Sequence, residues 1–229
     1  IKNYGPLLTI WNDVPGPYGK RGAETIKLAR KLQPNILVNN RSGDGGDYAT
    51  PEQKIGGFNM ATPWESCMTV SKRNAWAWGG SNDGVKPLHT CISMLVNGAG
   101  GDGNILLNVG PRPDGAIDPL QANLLREVGA WLAKYGESIY GTRGGPYKPA
   151  PHVASTHKGN TIYLHIQSWL SDPLTLPPLP KKIIGHRILT GGTVSVTQTP
   201  SNIVVAVPVA HRAEFDTIVA LELGGAALD

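Results

Sequence analysis

The stretch GDGNILLNVGPRPDG, residues 101–115, decides how the rest of this 229-residue chain is read. An apolar run of strand length, Ile105-Leu106-Leu107 and then Val109, is bounded by glycine or proline on both sides. It reads as a buried strand that ends abruptly in a loop. Beyond the loop, Leu120, Leu124, Leu125, Val128, Trp131 and Leu132 recur at helical spacing within residues 118–135. A strand followed directly by such a helix is a βα unit.

The same alternation runs upstream. Strands are predicted over 7–11, 36–38 and 64–70, and helices over 23–32, stopped by Gln33-Pro34, and over 87–96. Continuous rather than alternating hydrophobicity in the strands implies a parallel sheet covered by helices, an α/β class. After the Gly/Pro-rich segment 144–151 the pattern changes. Short β-rich runs at 161–166, 182–189, 193–197, 203–207 and 217–221 are separated by turn residues, which predicts a small antiparallel β-sandwich. Two domains are expected, 1–147 and 148–229.

Composition narrows the function classes. A hydrophobic fraction of 40% supports a real core, and no apolar run approaches the ~18 residues of a membrane helix. The net charge of +4 is spread singly along the chain, which argues against a nucleic-acid partner. Cys67 and Cys91 each lie in apolar surroundings and read as buried thiols rather than a disulfide. His89 sits in a helical pattern and reads as a core histidine; His152, His157, His165, His186 and His211 show no metal spacing. Gly98, Gly100 and Gly103 spell a dinucleotide fingerprint, but here a helix precedes and a strand follows, the reverse of what that motif needs. Asp44 and Asp47 lack the ligand spacing of a calcium loop.

In a parallel α/β fold the chemistry collects where strands end. The predicted ends carry Trp11-Asn12-Asp13, Asn39-Asn40-Arg41, Trp64-Glu65 and Asn108. Two carboxylates, an arginine and aromatic rings are the parts of a glycosidase pocket: one carboxylate attacks or stabilises the anomeric carbon, the other protonates the leaving oxygen, and a ring stacks on the sugar.

These residues lie in stretches that resemble the retaining α-L-fucosidases of glycoside hydrolase family 29: YGPLLTIWND, GDYATPEQ, WESCMTV, WGG followed by Lys86, GGDGNILLNVGPRPDG and VGAWLAKYGESIYGTRGGPY, in that order. The resemblance implies that Asp13 is the nucleophile, where its bland reading is a cap before Pro15. It implies Glu65 as general acid/base, with Glu52 as the rival; taken alone, Glu52 reads as a helix-start carboxylate after proline. Arg41, Trp11, Trp64 and Trp78 are implied as substrate-binding residues. The substrates would be fucosylated glycans or simple α-L-fucosides, no cofactor or metal would be needed, and by analogy the compartment would be secreted, periplasmic or lysosomal.

The resemblance begins only at the strand that carries Asp13. Four or five strands precede the sandwich, against the eight of a complete barrel. The expectation is therefore the second half of a (β/α)8 TIM-like barrel followed by the β-sandwich. Open sheet edges would favour either a homo-oligomer or association with the missing half. The alternative is a non-catalytic carbohydrate-binding or assembly remnant of a fucosidase.

Overall fold

The computed structural model describes residues 1, 3–13, 20–42, 45–80 and 82–228, with Lys20 by its backbone alone. Asp44, weighed above as a calcium ligand, lies outside the described residues. The first layer is built from β1 (Thr9–Ile10), α1 (Lys20–Leu32), β2 (Leu37–Val38), β3 (Glu65–Thr69), α2 (Leu88–Gly100), β4 (Asn104–Asn108) and α3 (Pro119–Tyr135). β1 pairs in parallel with β2, and β3 in parallel with β4, where Glu65 stands opposite Asn104 and Thr69 opposite Asn108.

Residues 48–53 join these two pairs. Parallel bridges link Asn39 to Tyr48, Ala49 to Trp64 and Glu52 to Cys67. The Glu65 N–H donates to the Ala49 carbonyl (2.9 Å), the Cys67 N–H to that of Pro51 (2.8 Å), and the Gln53 N–H back to that of Cys67 (2.9 Å). The segment thus runs as an irregular fifth strand between β2 and β3, with Pro51 contributing only its carbonyl. Glu52 is therefore a strand-end residue, not the start of a helix.

Local chemistry explains the helices. α3 begins at Asp118, whose carboxylate accepts the Leu120 N–H at 3.0 Å, with Pro119 in the first turn, where its missing donor is harmless. Its buried Leu124 and Val128 meet Val70 and Cys91, with Leu107 of β4 packed against them. α2 lies close on β4 because Gly98 has no Cβ; one would come within 2.6 Å of the Ile105 side chain. Along β2, buried Val38 follows exposed Leu37, so the sheet has a helix-covered face and an open face.

The second layer comprises β5 (Arg143–Gly144), β6 (Val153–Lys158), β7 (Thr161–Ile166), β8 (Leu174–Leu176), β9 (Ile183–Ile188), β10 (Ser195–Gln198), β11 (Ile203–Ala206) and β12 (Thr217–Leu223). They form two antiparallel sheets, ordered β5-β6-β7-β12-β9 and β10-β11-β8. One face of the larger sheet, with Ile162, Leu164, Val219 and Leu221, shares a core with Ile203 and Val205 of the smaller. The other face packs on the helices: Ala154 meets Ile92 and Val96 of α2, and Tyr163 and Ile218 lie against Trp131 and Tyr135 of α3. Burial on both faces is why the central strands β7 and β12 do not alternate in burial.

Several expectations need correction. Gly144, where the Gly/Pro-rich segment 144–151 begins, is not loop but part of the edge strand β5. Its Arg143 guanidinium makes two hydrogen bonds to Asp102 (2.8 and 2.7 Å), and the Gly144 N–H makes a third at 2.7 Å. His89 is exposed, its ring 6.2 Å from that of Phe215, whereas the buried histidine is His165, whose Nδ1 lies 2.6 Å from Asp216. Cys67 and Cys91, by contrast, are free and buried, as expected.

Candidate active site

Three adjacent strand ends build the site. β1 runs out into Trp11-Asn12-Asp13, and its exit is fixed by Asn39. That fully buried amide accepts the Asn12 N–H at 2.9 Å and donates to the Asn12 carbonyl at 2.8 Å. Paired in this way, the end of β1 cannot shift against the end of β2. β2 leads into the short 3-10 turn Asn40–Ser42, which turns Arg41 inward, 7% exposed.

Arg41 is the centre of the arrangement. Its Nη1 lies 3.1 Å from Asp13 Oδ1 and its Nη2 2.8 Å from Glu52 Oε1. Its Nε donates to Thr50 Oγ1 (2.8 Å) and its Nη2 to the Thr50 carbonyl (3.0 Å), so the guanidinium plane is set by the strand that carries Glu52. The guanidinium carbon stands 4.3 Å from the Trp11 ring centroid, a cation–π contact that takes up one face of that indole. A buried arginine is tolerable when its donors are used, and here two carboxylates, a hydroxyl and a carbonyl use them. Asp13 is the most accessible member, with 73% of its side chain exposed, against 42% for Glu52.

Glu65 is elsewhere. It is the first residue of β3, not the last, and lines a hollow with Leu8, Thr9, Leu37, Tyr48 and Asn104, at the amino ends of the strands. Thr9 lies four residues before Asp13, which at ~3.3 Å per residue is ~13 Å along the strand. Glu65 is thus a strand's length from the Asp13 carboxylate, and the structure does not bring the two together. Cys67, two residues further along β3, faces the same side. Its thiol is pushed up to about 11, by burial first and then by Glu65 and the site carboxylates, against the opposing pull of Arg41.

The family model for α-L-fucosidase matches residues 1–137. The chain belongs to the α-L-fucosidase family, glycoside hydrolase family 29. The fucosidase match extends to curated relatives: 27% identity over 206 residues with human plasma α-L-fucosidase, covering 81% of this chain and 43% of that protein. With human tissue α-L-fucosidase the identity is 31% over 153 residues, covering 60% and 32%. Among solved structures, α-L-fucosidase isoenzyme 1 of Paenibacillus thiaminolyticus superposes with a TM-score of 0.82 at 31% identity, covering 96% of this chain and 59% of that one. An α-L-fucosidase from a Vibrio strain shares the fold, with a TM-score of 0.86 at 23% identity, over 98% and 43%. The chain spans about two fifths of the length of human plasma α-L-fucosidase.

The tryptophans of this chain divide. Trp64 is 3% exposed and wedged where Gly56, Gly101 and Gly103 leave room; a Cβ on any of them would collide with its indole. It is a core residue and offers no face to a sugar. Trp78 donates its indole N–H to Asp118 at 3.4 Å, which ties the loop after β3 to the start of α3, and Trp76 beside it is 42% exposed. The Asn108 amide also holds that loop, donating to the Trp76 carbonyl at 3.0 Å, while the Gly110 N–H, in the loop after β4, donates to Gln121 of α3 at 2.9 Å.

Sequence reasoning placed Asn39 at a strand end without a partner and singled out neither Thr50 nor Gln53. A signal for Thr50 was present: a hydroxyl two residues before the rival acid lies on the same strand face. No group of three or more potential metal ligands occurs among the described residues.

Proposed function

We propose that this chain carries the catalytic carboxylates of a retaining α-L-fucosidase, with Asp13 as nucleophile and Glu52, rather than Glu65, as general acid/base. The observation that carries the reading is that one buried guanidinium holds both carboxylates, at 3.1 and 2.8 Å. Retention needs the two carboxyl groups roughly 5 to 5.5 Å apart, a spacing suited to the two arms of one arginine fork. The place of Glu65 at the amino ends of the strands, beside Thr9 and Leu37, argues against it as the partner of Asp13.

In the first step an Asp13 oxygen bonds to the anomeric carbon of an α-L-fucoside. The bond from that carbon to the aglycone oxygen breaks, and Glu52 gives its proton to the departing oxygen. In the second step Glu52 takes a proton from water. The water oxygen then bonds to the anomeric carbon and displaces the Asp13 carboxylate, releasing fucose with retained configuration. Arg41 orients both groups and stabilises negative charge on whichever is ionised. Trp76 and Trp78 are the rings available to the sugar's apolar face, and Trp11 backs Arg41.

The parallel layer is the second half of a (β/α)8 barrel and 148–229 its sandwich. Support comes from the five parallel segments, from the exposure of Leu37 and Leu106 on the open face, and from the portion of each relative that the chain covers. Closing the pocket calls for the other half of the barrel or a second copy of this chain. A purely carbohydrate-binding remnant would have no need of two carboxylates on one arginine.

Hydrolysis of an aryl α-L-fucoside tests the reading, on the chain alone and with a fucosidase amino-terminal barrel half supplied in trans. A 2-fluoro fucosyl fluoride should leave a covalent adduct on the peptide that contains Asp13. An adduct on another residue, or full turnover by Asp13→Asn, refutes the assignment.

A further inference from the structure

We propose that Lys86 is a positioning residue for the acid/base carboxylate: its ammonium clamps Thr69 and Asn74 together, and these in turn hold Gln53, the residue next to Glu52. The inference rests on the assignment of Glu52 made above. Lys86 Nζ donates to the carbonyls of Thr69 (2.6 Å) and Ser71 (2.7 Å), to Asn74 Oδ1 (2.8 Å) and to Thr69 Oγ1 (3.1 Å). Four neutral oxygens surround one ammonium with three protons, and no carboxylate is among them. A lysine partly withdrawn from water serves here as a structural cross-link. Burial holds its pKa below the ordinary value, partly countered by Cys91 and Asp83.

The clamp reaches the site in one further bond. The Gln53 amide donates to Thr69 Oγ1 (3.3 Å) and to the Asn74 carbonyl (3.1 Å). Gln53 and Asn74 both have left-handed backbones, φ 51° and 61°, conformations that persist only where the surroundings over-determine them. Lys86 grips one of these residues directly and the other through Thr69. Without the ammonium, the Thr69 hydroxyl and the Asn74 side chain lose their common anchor, and Gln53 can relax toward an ordinary φ. Glu52 would then move relative to Arg41. Arginine is a poor substitute, because a planar fork cannot address four oxygens set around a point.

Hydrogen exchange read by mass spectrometry on Lys86→Met tests this without depending on turnover. Exchange over 50–54 and 71–80 should rise about tenfold or more, while peptides of the sandwich stay as in the wild type. Thr69→Val removes the link to Gln53 and one of the four Lys86 bonds, while the ammonium keeps the Thr69 and Ser71 carbonyls and Asn74 Oδ1, so it should raise exchange over 50–54 and spare 71–80. It also serves if Lys86→Met does not fold. Exchange changes confined to 71–80 in Lys86→Met, or an unchanged 50–54 in Thr69→Val, overturn the proposal. On an aryl α-L-fucoside, Thr69→Val should lower kcat about tenfold and leave KM within about twofold. If Glu52→Gln keeps full turnover, the acid assignment fails, while the exchange data still decide whether Lys86 fixes this segment.

Discussion

Replacing Asp102 with alanine should unlock the joint between the parallel layer and the antiparallel sheets. Its carboxylate, 7% exposed, accepts two bonds from Arg143 and one from the Gly144 N–H. Alanine leaves that buried N–H without an acceptor, a cost of ~1–3 kcal/mol. The ion pair itself adds only ~0.2–1 kcal/mol, because Arg143 is 59% exposed and screened by water. Asp102 also has φ 66°, a conformation alanine adopts less readily. Together these give ~2–4 kcal/mol, which for a chain of this size lowers Tm by roughly 5–12 °C.

Asp102→Asn separates the terms, since it keeps an oxygen for Gly144 and tolerates a left-handed backbone; its loss should be only ~2–4 °C. Acid should erase the wild type's advantage over Asp102→Asn. Burial alone would raise the Asp102 pKa, but the bonds from Arg143 and Gly144 prevail and hold it below 3.8. A depressed carboxylate contributes stability in full above the unfolded pKa and loses it as pH falls through the folded one. The Tm gap should therefore be constant near neutrality and close below pH 3.8, as followed by scanning calorimetry. An Asp102→Ala protein that melts within ~1 °C of wild type, or a gap independent of pH, refutes the reasoning.

Three further outcomes are expected. Glu52→Gln should lose about 100-fold or more on fucosides with poor leaving groups, and on an activated aryl fucoside, where attack on the fucosyl-enzyme is limiting, added azide should restore its turnover, whereas Glu65→Gln should stay near wild type; steady-state kinetics on paired substrates distinguish them. Gly110→Ala would set a Cβ 2.5 Å from the backbone of Ala77 and Trp78, so a urea titration should show a loss of ~1–3 kcal/mol or more. Cys67 and Cys91 should resist a thiol reagent at pH 8 until the chain unfolds, because burial raises both pKa values, that of Cys67 to about 11.

What the sequence disclosed depended on the kind of interaction that built each element. The helices were legible because their buried residues recur at one period and their starts carry local chemistry, as at Asp118-Pro119. Residues 48–53 were not. A Thr-Pro-Glu-Gln run has no strand signature, and it is extended only because neighbours on both sides supply its bridges. β6 was missed for a related reason. Ser155 and Thr156 are buried there because their hydroxyls donate to the carbonyls of Tyr147 and Ser138, satisfaction that no hydropathy pattern announces. The site shows the same division. Motif order brought out Asp13, Arg41 and both candidate acids, but which glutamate meets Asp13 depends on which end of a strand each occupies. Glu65 opens its apolar run, and a residue that opens a parallel strand lies away from the catalytic end.

The packing of Trp64 bears on how such a chain can change over generations. Gly56, Gly101 and Gly103 come from two separate loops, yet each is restricted by the same indole. While the tryptophan stays, a side chain at any of the three positions is excluded. Were it exchanged for a small residue, the contacts at Gly56 and Gly103 would be relieved together, while a Cβ on Gly101 would still stand 3.0 Å from the Asn97 carbonyl. The four positions therefore behave as one heritable block: a designer who transplants any member into a related chain must carry the other three with it.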